Sequence, residues 1–260
     1  MVEEQQFIPA ERMKQILAFI EEKGSVQVKE LAGFQQVSEA TIRRDLIELE
    51  QQGTIRRTHG GAVIVTRSTS YERVYQDKTM LQAAEKKRIG VAASRYISNG
   101  DTIFLDTGTT IYQLGRALHE KQNLTVITND LCIASSVVLH PSSELIVTGG
   151  VRRECFNVLI GSITENFVRN LRLDKVFLSA DAVDVEFGVS NANFIEAEIK
   201  TVAVHAGKEV ILLADKTKFG KTALKRVCTL SEVDRIISDT GLSPAIVSQM
   251  AERGMALELV

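Results

Sequence analysis

Two groups of residues in this 260-residue chain have the types and spacing to do chemistry. The first is Asp106-Thr107-Gly108-Thr109-Thr110, directly after the apolar run Ile103-Phe104-Leu105 and before Ile111, Leu114 and Leu118 at helical spacing. A strand that turns into a helix through such a loop leaves N–H groups unbonded at the helix start, and these suit a phosphate. Gly108 lets the backbone come close to an anion, and three threonine hydroxyls lie beside it. Taken alone, a turn of this composition is more often a simple cap. The second group is cationic: Ser38, Thr41, Arg43 and Arg44, followed by Arg56, Arg57 and His59 around Gly60-Gly61. Between Gln51 and Arg67 the chain has Arg56, Arg57 and Arg67 and no acid. Such a run is ordinarily a solvated face; its position after a helix-turn-helix pattern is what points to DNA.

The elements that must position these residues can be read from apolar spacing. Met13, Ile16, Leu17 and Ile20 predict a helix over 10–23 ended by Gly24, and Val28, Leu31 and Ala32 predict a shorter one over 28–34. Ser38 is placed to cap a third helix with Ala40, Ile42, Leu46 and Leu49 on its inner stripe, stopped by Gly53. Thr41 rather than Glu stands three residues after Ser38, so a simple cap is expected and not a capping box. Strand-like runs on either side of His59-Gly60-Gly61 predict a β-hairpin. Three helices and a hairpin make a winged helix-turn-helix over residues 8–65. Ser38 and Thr41 lie at the end of the third helix that meets base edges; Arg43 or Arg44 suits guanine or phosphate, and Arg56, Arg57 and His59 suit phosphate. Asp45 is expected to orient an arginine.

Residues 66–78 read as a linker, and 79–260 as a second domain. There, apolar runs at 102–106, 124–128, 144–148, 175–179, 209–214 and 235–239 alternate with helical patterns at 111–118, 131–139, 163–171, 195–205 and 244–253. Continuous apolar strands alternating with helices imply a Rossmann-like α/β domain, a parallel sheet covered on both faces. The loops at the strand C-termini would converge on one edge, where ligands of open α/β sheets bind. These loops carry Asp106 to Thr110, Asn129, Thr148-Gly149-Gly150, Asp181 to Asp184 and Asp215 to Lys218. The cradle and Lys218 would hold an anion, while Asn129 and Asp181 would bond hydroxyls. For Asp184 and Asp215 a strand-end hydrogen bond is an equal reading, and for Gly149 and Gly150 a tight turn is the better one. Glu196, Glu198 and Lys200 fall on a helix and read equally as surface charges.

Composition sets the outer bounds. The chain is 44% hydrophobic and 25% charged with net charge −2, an ordinary globular balance in which a small basic module can still bind DNA. No apolar run reaches the roughly 18 residues of a membrane span, and the acidic N-terminus lacks a signal-peptide layout, so a cytoplasmic protein without membrane contact is expected. Cys132, Cys155 and Cys228 have no metal-ligand spacing and read as buried reduced thiols. No cofactor or metal is implied.

The motifs also carry a resemblance. Val37-Ser38, Thr41-Ile-Arg-Arg-Asp-Leu46, Leu49, Gly53, Arg57 and His59-Gly-Gly-Ala62 resemble the signature of DeoR-type transcriptional regulators. The likeness continues through Gly100-Asp101, Leu105-Asp-Thr-Gly-Thr-Thr110, Thr148-Gly-Gly150, Asp181, Asp184, Glu196-Ala-Glu198, Ala214-Asp215 and Lys218-Phe-Gly220. Two positions depart: Gln36 stands where the family commonly has Gly, and Ser179-Ala-Asp-Ala-Val-Asp184 replaces a Gly-Ala-Asp-Gly pattern. The resemblance implies a sensor domain similar to ribose-5-phosphate isomerase-type folds that responds to a phosphorylated sugar. Residues 148–153, 181–184, 188–190 and 254–260 look most like the branch regulating amino-sugar use, such as N-acetylgalactosamine.

Two functions of different class follow. The first is a repressor that binds double-stranded operator DNA as a homo-oligomer, dimer or tetramer, and is released by a phosphorylated sugar. The second is a sugar-phosphate isomerase carrying a DNA-binding head, with Asp181 or Asp184 as the carboxylate base. Residues 185–193 lack the glycine-rich stretch that carries the base in such isomerases, so a non-enzyme is expected.

Overall fold

The computed structural model describes residues 9–51, 54–64, 68–72 and 75–260 of the chain. Gly53, expected to stop the third helix, and Arg67 lie outside the described residues. The chain divides into two compact units, Met1–Ser68 and Thr69–Val260.

In the first unit, α1 (Pro9–Lys23), β1 (Ser25–Gln27), α2 (Val28–Gln35) and α3 (Glu39–Gln51) are followed by the hairpin β2 (Ile55–Thr58) and β3 (Gly61–Ile64). Ile16 and Ile20 of α1, Val28 and Leu31 of α2, and Ile42, Leu46 and Leu49 of α3 form one buried core with Val26, Ile55 and Ala62. These are the helical stripes expected from spacing, except that Ala40 is exposed and Met13, Leu17 and Ala32 are only half-buried. The wing has a third strand that spacing did not predict: β1 pairs antiparallel with β3, giving the order β1-β3-β2. A Cβ at Gly61 would lie 1.9 Å from the Val26 carbonyl oxygen, so the β1–β3 pairing needs glycine there. The hairpin turn is accordingly His59-Gly60, with Gly61 already in the ladder. At the end of α2, Gln36 has φ 53° and ψ 39°, the left-handed conformation that glycine adopts without cost.

The second unit begins with α4 (Tyr75–Met80) and α5 (Ala83–Ser94), then β4 (Thr102–Leu105), α6 (Thr109–Gly115), β5 (Thr125–Thr128), α7 (Leu131–Ser136) and β6 (Glu144–Val147). The hairpin β7 (Val151–Arg153) and β8 (Val158–Ile160) leads to α8 (Ser162–Arg169), β9 (Leu173–Leu178), β10 (Ala182–Asp184), β11 (Gly188–Asn191) and α9 (Phe194–Ala206). The unit closes with β12 (Gly207–Leu213), β13 (Lys225–Cys228), β14 (Arg235–Ser238), α10 (Pro244–Glu252) and β15 (Leu257–Leu259). Seven parallel strands run in the order β15-β14-β12-β9-β4-β5-β6. The six strands expected from apolar runs are all present. The seventh, β15, is a short edge strand whose Leu-Glu-Leu alternation did not stand out.

Alternation along the strands splits the interior into two cores. On β9, Val176 and Leu178 join one cluster and Phe177 the other; on β12, Val210 and Leu212 oppose Ile211 and Leu213. Both faces of the sheet are therefore covered, as the continuous apolar runs require. Beside the main sheet lie a small antiparallel sheet, β10-β11-β13, and the β7–β8 hairpin. The stretch expected as a linker is more structured than its composition suggests, since residues 69–72 and 75–78 belong to the second unit and α4 lies among them. The cysteines also differ from expectation. Cys228 is buried, and burial pushes its thiol up to about 12, but Cys132 is half-buried and Cys155 exposed.

Candidate functional site

On the first unit, α3 and the hairpin form the two walls of a groove of about 550 Å³. Ser38 caps α3 by accepting the Thr41 backbone N–H at 3.2 Å, and the Ser38 and Thr41 hydroxyls are 2.9 Å apart. Ile42, Asp45, Leu46 and Leu49 face inward, which turns Arg43 and Arg44 to solvent. Arg43 lines the groove with Arg57, Thr58 and His59, while Ser38, Thr41, Arg44 and Arg56 lie outside it. Arg43 pairs with Glu39 at 2.8 Å along its own helix. Arg57 was read as a phosphate contact, but it is engaged from α3: Glu50 accepts its backbone N–H at 2.8 Å and its Nε at 2.7 Å. Glu50 thereby links the hairpin to the helix through an accessible pair. Arg44 and Arg56 are exposed and make no ion pair among the described residues. Asp45 does orient an arginine, accepting Nε and Nη2 of Arg12 at 2.7 and 2.9 Å in a bidentate pair between α3 and α1.

On the second unit, loops at the C-terminal ends of β4, β5, β9 and β12 meet at a cavity of about 50 Å³. Thr107, Gly108, Thr109 and Thr110 form one wall. Gly108 has φ 108°, a conformation open to glycine, and its N–H donates at 3.0 Å to Asp130 rather than into the cavity. The other oxygen of Asp130 accepts the N–H groups of Cys132 and Ile133 at 2.8 and 3.0 Å and so caps α7. Burial pushes the Asp130 carboxyl up to about 6, against the opposing pull of the Gly108, Ile133 and Cys132 N–H groups.

Asp106 forms the support under this wall rather than part of its lining. Its Oδ2 accepts the Ser179 N–H and hydroxyl at 2.8 and 3.0 Å and pairs with the Lys200 ammonium. Lys200 also donates to the Ser179 hydroxyl at 3.0 Å. Asp181 and Lys218 line the cavity. Asp181 accepts the Ala192 N–H at 3.1 Å and Lys78 at 3.0 Å. Burial would raise its carboxyl, but Lys78 and then Lys218 hold it down to about 2. Asn129 does not reach the cavity; its Nδ2 donates to the Leu159 carbonyl at 3.0 Å and supports the β8 strand. Asp184 and Asp215 take strand-end roles, accepting the N–H groups of Glu186 and Phe187 and of Thr217 respectively.

Several lining residues were not assigned to the site from sequence. Glu72, Tyr75 and Lys78 enter from the segment read as linker, Lys86 from α5, and Glu196 and Lys200 from α9. Glu196 and Lys200 are not surface charges, being 5% and 2% exposed. Burial and the nearby Glu72 push the Glu196 carboxyl up, opposed by Lys200 and Arg153. One signal was available: on α9, Glu196, Ile199 and Lys200 share the stripe of Ala197 and Ala203 closely enough to predict burial.

Of the two carboxylates named for isomerisation, Asp181 lines the cavity and is paired with Lys78, and Asp184 caps a turn outside it. Among the described residues no group of three or more His, Cys, Asp or Glu could hold a metal, and no helix is long and apolar enough to cross a membrane. The first unit has the fold of a winged helix-turn-helix DNA-binding domain, and the second is an α/β unit with a polar cavity at the C-terminal edge of its sheet. Together they define a DNA-binding regulator that carries its own sensor.

Comparison with known proteins names that regulator more closely. Residues 12–68 match the DeoR-like helix-turn-helix domain, and residues 81–240 match the DeoR C terminal sensor domain. The chain belongs to the DeoR family of transcriptional regulators. A putative aga operon transcriptional repressor of Escherichia coli O157:H7 is 32% identical over 96% of this chain and 94% of that one. The glycerol-3-phosphate regulon repressor of Escherichia coli (strain K12) is 31% identical over 96% and 98%. Among solved structures, ribose 5-phosphate isomerase from Plasmodium falciparum overlaps 55% of this chain and 52% of that one, at 13% identity and a TM-score of 0.36.

Proposed function

We propose that this chain is a cytoplasmic repressor of a carbohydrate-utilisation operon, which binds operator DNA as a homo-oligomer and is released by a phosphorylated sugar or polyol. One observation carries the effector half. The cavity joins a Thr-Gly-Thr-Thr loop to four lysines, Lys78, Lys86, Lys200 and Lys218, and to four carboxylates, Glu72, Asp130, Asp181 and Glu196. Lysines and threonine hydroxyls suit a phosphate, and carboxylates accept from sugar hydroxyls. The names of the relatives favour this class without choosing a member. The aga operon repressor and the glycerol-3-phosphate regulon repressor differ from each other by one percentage point of identity to this chain.

For release to occur, the effector must bind the DNA-incompetent state more tightly, and DNA must by linkage weaken effector binding to the same degree. The test is fluorescence anisotropy on an operator fragment recovered by selection with the protein. At least one of glycerol 3-phosphate, galactosamine 6-phosphate, N-acetylgalactosamine 6-phosphate, ribose 5-phosphate and fructose 1-phosphate should weaken binding by tenfold or more at millimolar concentration. The unphosphorylated sugars should do nothing. An affinity indifferent to all of them defeats the reading.

A further inference from the structure

The helix-turn-helix match ends at residue 68 and the sensor match begins at residue 81, so residues 69–80 belong to neither. The structure nevertheless puts three side chains from this stretch, Glu72, Tyr75 and Lys78, into the lining of the sensor cavity. They are held there by a continuous chain of charge. Lys78 donates at 3.0 Å to both Asp181 and Glu72. The other oxygen of Glu72 accepts Arg153 at 2.6 Å, and Arg153 also donates to Glu196 at 2.5 Å. The Arg153 guanidinium lies 3.9 Å and the Lys78 ammonium 5.7 Å from the centre of the Phe156 ring. The Lys78 carbonyl accepts the buried Lys86 ammonium, and the Thr69 carbonyl accepts the Leu224 N–H at 2.9 Å. Backbone and side chains therefore both tie this stretch down over the cavity.

As it stands, the space of about 50 Å³ has room for a few waters. Ligand sites usually measure roughly 300–1000 Å³. A sugar phosphate therefore needs space that these side chains now fill. Lys78 is the group most readily exchanged, because its two partners are carboxylates and a phosphate dianion can replace both.

We infer that the stretch carrying Glu72, Tyr75 and Lys78 is a strap closed over the effector site by the chain Asp181–Lys78–Glu72–Arg153–Glu196, and that a phosphorylated ligand enters by drawing Lys78 off its two carboxylates. The inference rests on reading the cavity as the effector site. It makes the stretch between the two family domains a working part of the sensor, and it excludes neutral sugars because they offer Lys78 no replacement charge.

Hydrogen exchange on the full-length protein tests it in two arms. In the first, the protein is saturated with whichever of glycerol 3-phosphate, galactosamine 6-phosphate or ribose 5-phosphate raises its melting temperature. Amides of Tyr75–Met80 should then exchange at least tenfold faster, while those of β4 and β9 stay protected. Unchanged or slower strap exchange alongside a raised melting temperature overturns the strap and leaves the effector reading intact. No rise with any of the phosphates overturns the effector reading, and the strap falls with it. In the second arm, Glu72→Gln without ligand should speed exchange of the same amides by about tenfold. If it does not, the ionic chain is not what holds the strap.

Discussion

The groove on the first unit and the cavity on the second both depend on paired charges, but they use them in opposite ways. In the groove, Arg43 is 62% and Arg57 44% exposed, and their partners Glu39 and Glu50 are also accessible. Exposed pairs of this kind contribute about 0–1 kcal/mol and are screened by salt, so a polyanion can take over an arginine at little cost. In the cavity support, Lys200 is 2% and Asp106 1% exposed. Buried charges are costly unless fully partnered, so nothing displaces them cheaply. The groove is built to exchange partners and the support to keep them. The strap lies between these limits: Lys78 is 19% and Glu72 7% exposed, buried enough to hold a shape and accessible enough to be opened.

The largest effect that tests this contrast is at the support. Lys200→Met should destabilise the second unit by about 3–5 kcal/mol, because Asp106 is left charged and buried with Ser179 alone. Urea unfolding followed by circular dichroism measures it. Adding Asp106→Leu should recover much of the loss, and a single variant within about 1 kcal/mol of the parent would remove the distinction between the two sites.

The next effect is pH dependence at Asp130. Its folded carboxyl titrates near 6, above the roughly 3.9 of an unfolded aspartate, so the folded chain holds the extra proton between those values. Stability from this group therefore falls as pH rises from about 4 to 6 and is flat above. The total is of order 3 kcal/mol at most, from the two-unit displacement. Denaturation midpoints of Asp130→Asn should lack that slope. An unaltered slope would assign it elsewhere, Glu196 being the first candidate.

Outside the groove, on the exposed side of α3, Arg44→Ala should cost about 1–3 kcal/mol of operator affinity if the side chain reads a base, with a changed sequence preference, and leave the melting of the second unit unchanged. Arg56→Ala should instead reduce the salt slope of binding by about one, as expected for a phosphate contact. Smallest of all, Glu39→Gln should alter the stability of the first unit by only a few tenths of a kcal/mol, since it breaks an exposed i,i+4 pair. A loss above 1 kcal/mol would show that groove charges also hold structure.

Periodicity made the frame legible in advance. Ile42, Leu46 and Leu49 disclosed α3, and the runs around Ile103, Val126 and Val176 disclosed central strands, because burial leaves its period in the sequence. Short elements such as β1 and β15 escaped, as three residues carry too little pattern. Partner choice escaped for a different reason. Nothing near Arg57 in the sequence announces Glu50, and Lys78 meets Asp181 across 103 positions. The strap was hidden by its composition, since a polar stretch that is saturated by ion pairs reads the same as one dissolved in water.

Gln36 carries a consequence of its own. An L-residue held at φ 53° costs roughly 1 kcal/mol over glycine, and this falls directly before the recognition helix. The cost falls on the turn that leads into α3, within the first unit alone. Gln36→Gly should thus raise the unfolding midpoint of the first unit and leave that of the second unchanged, a gain in stability that adds no new contact.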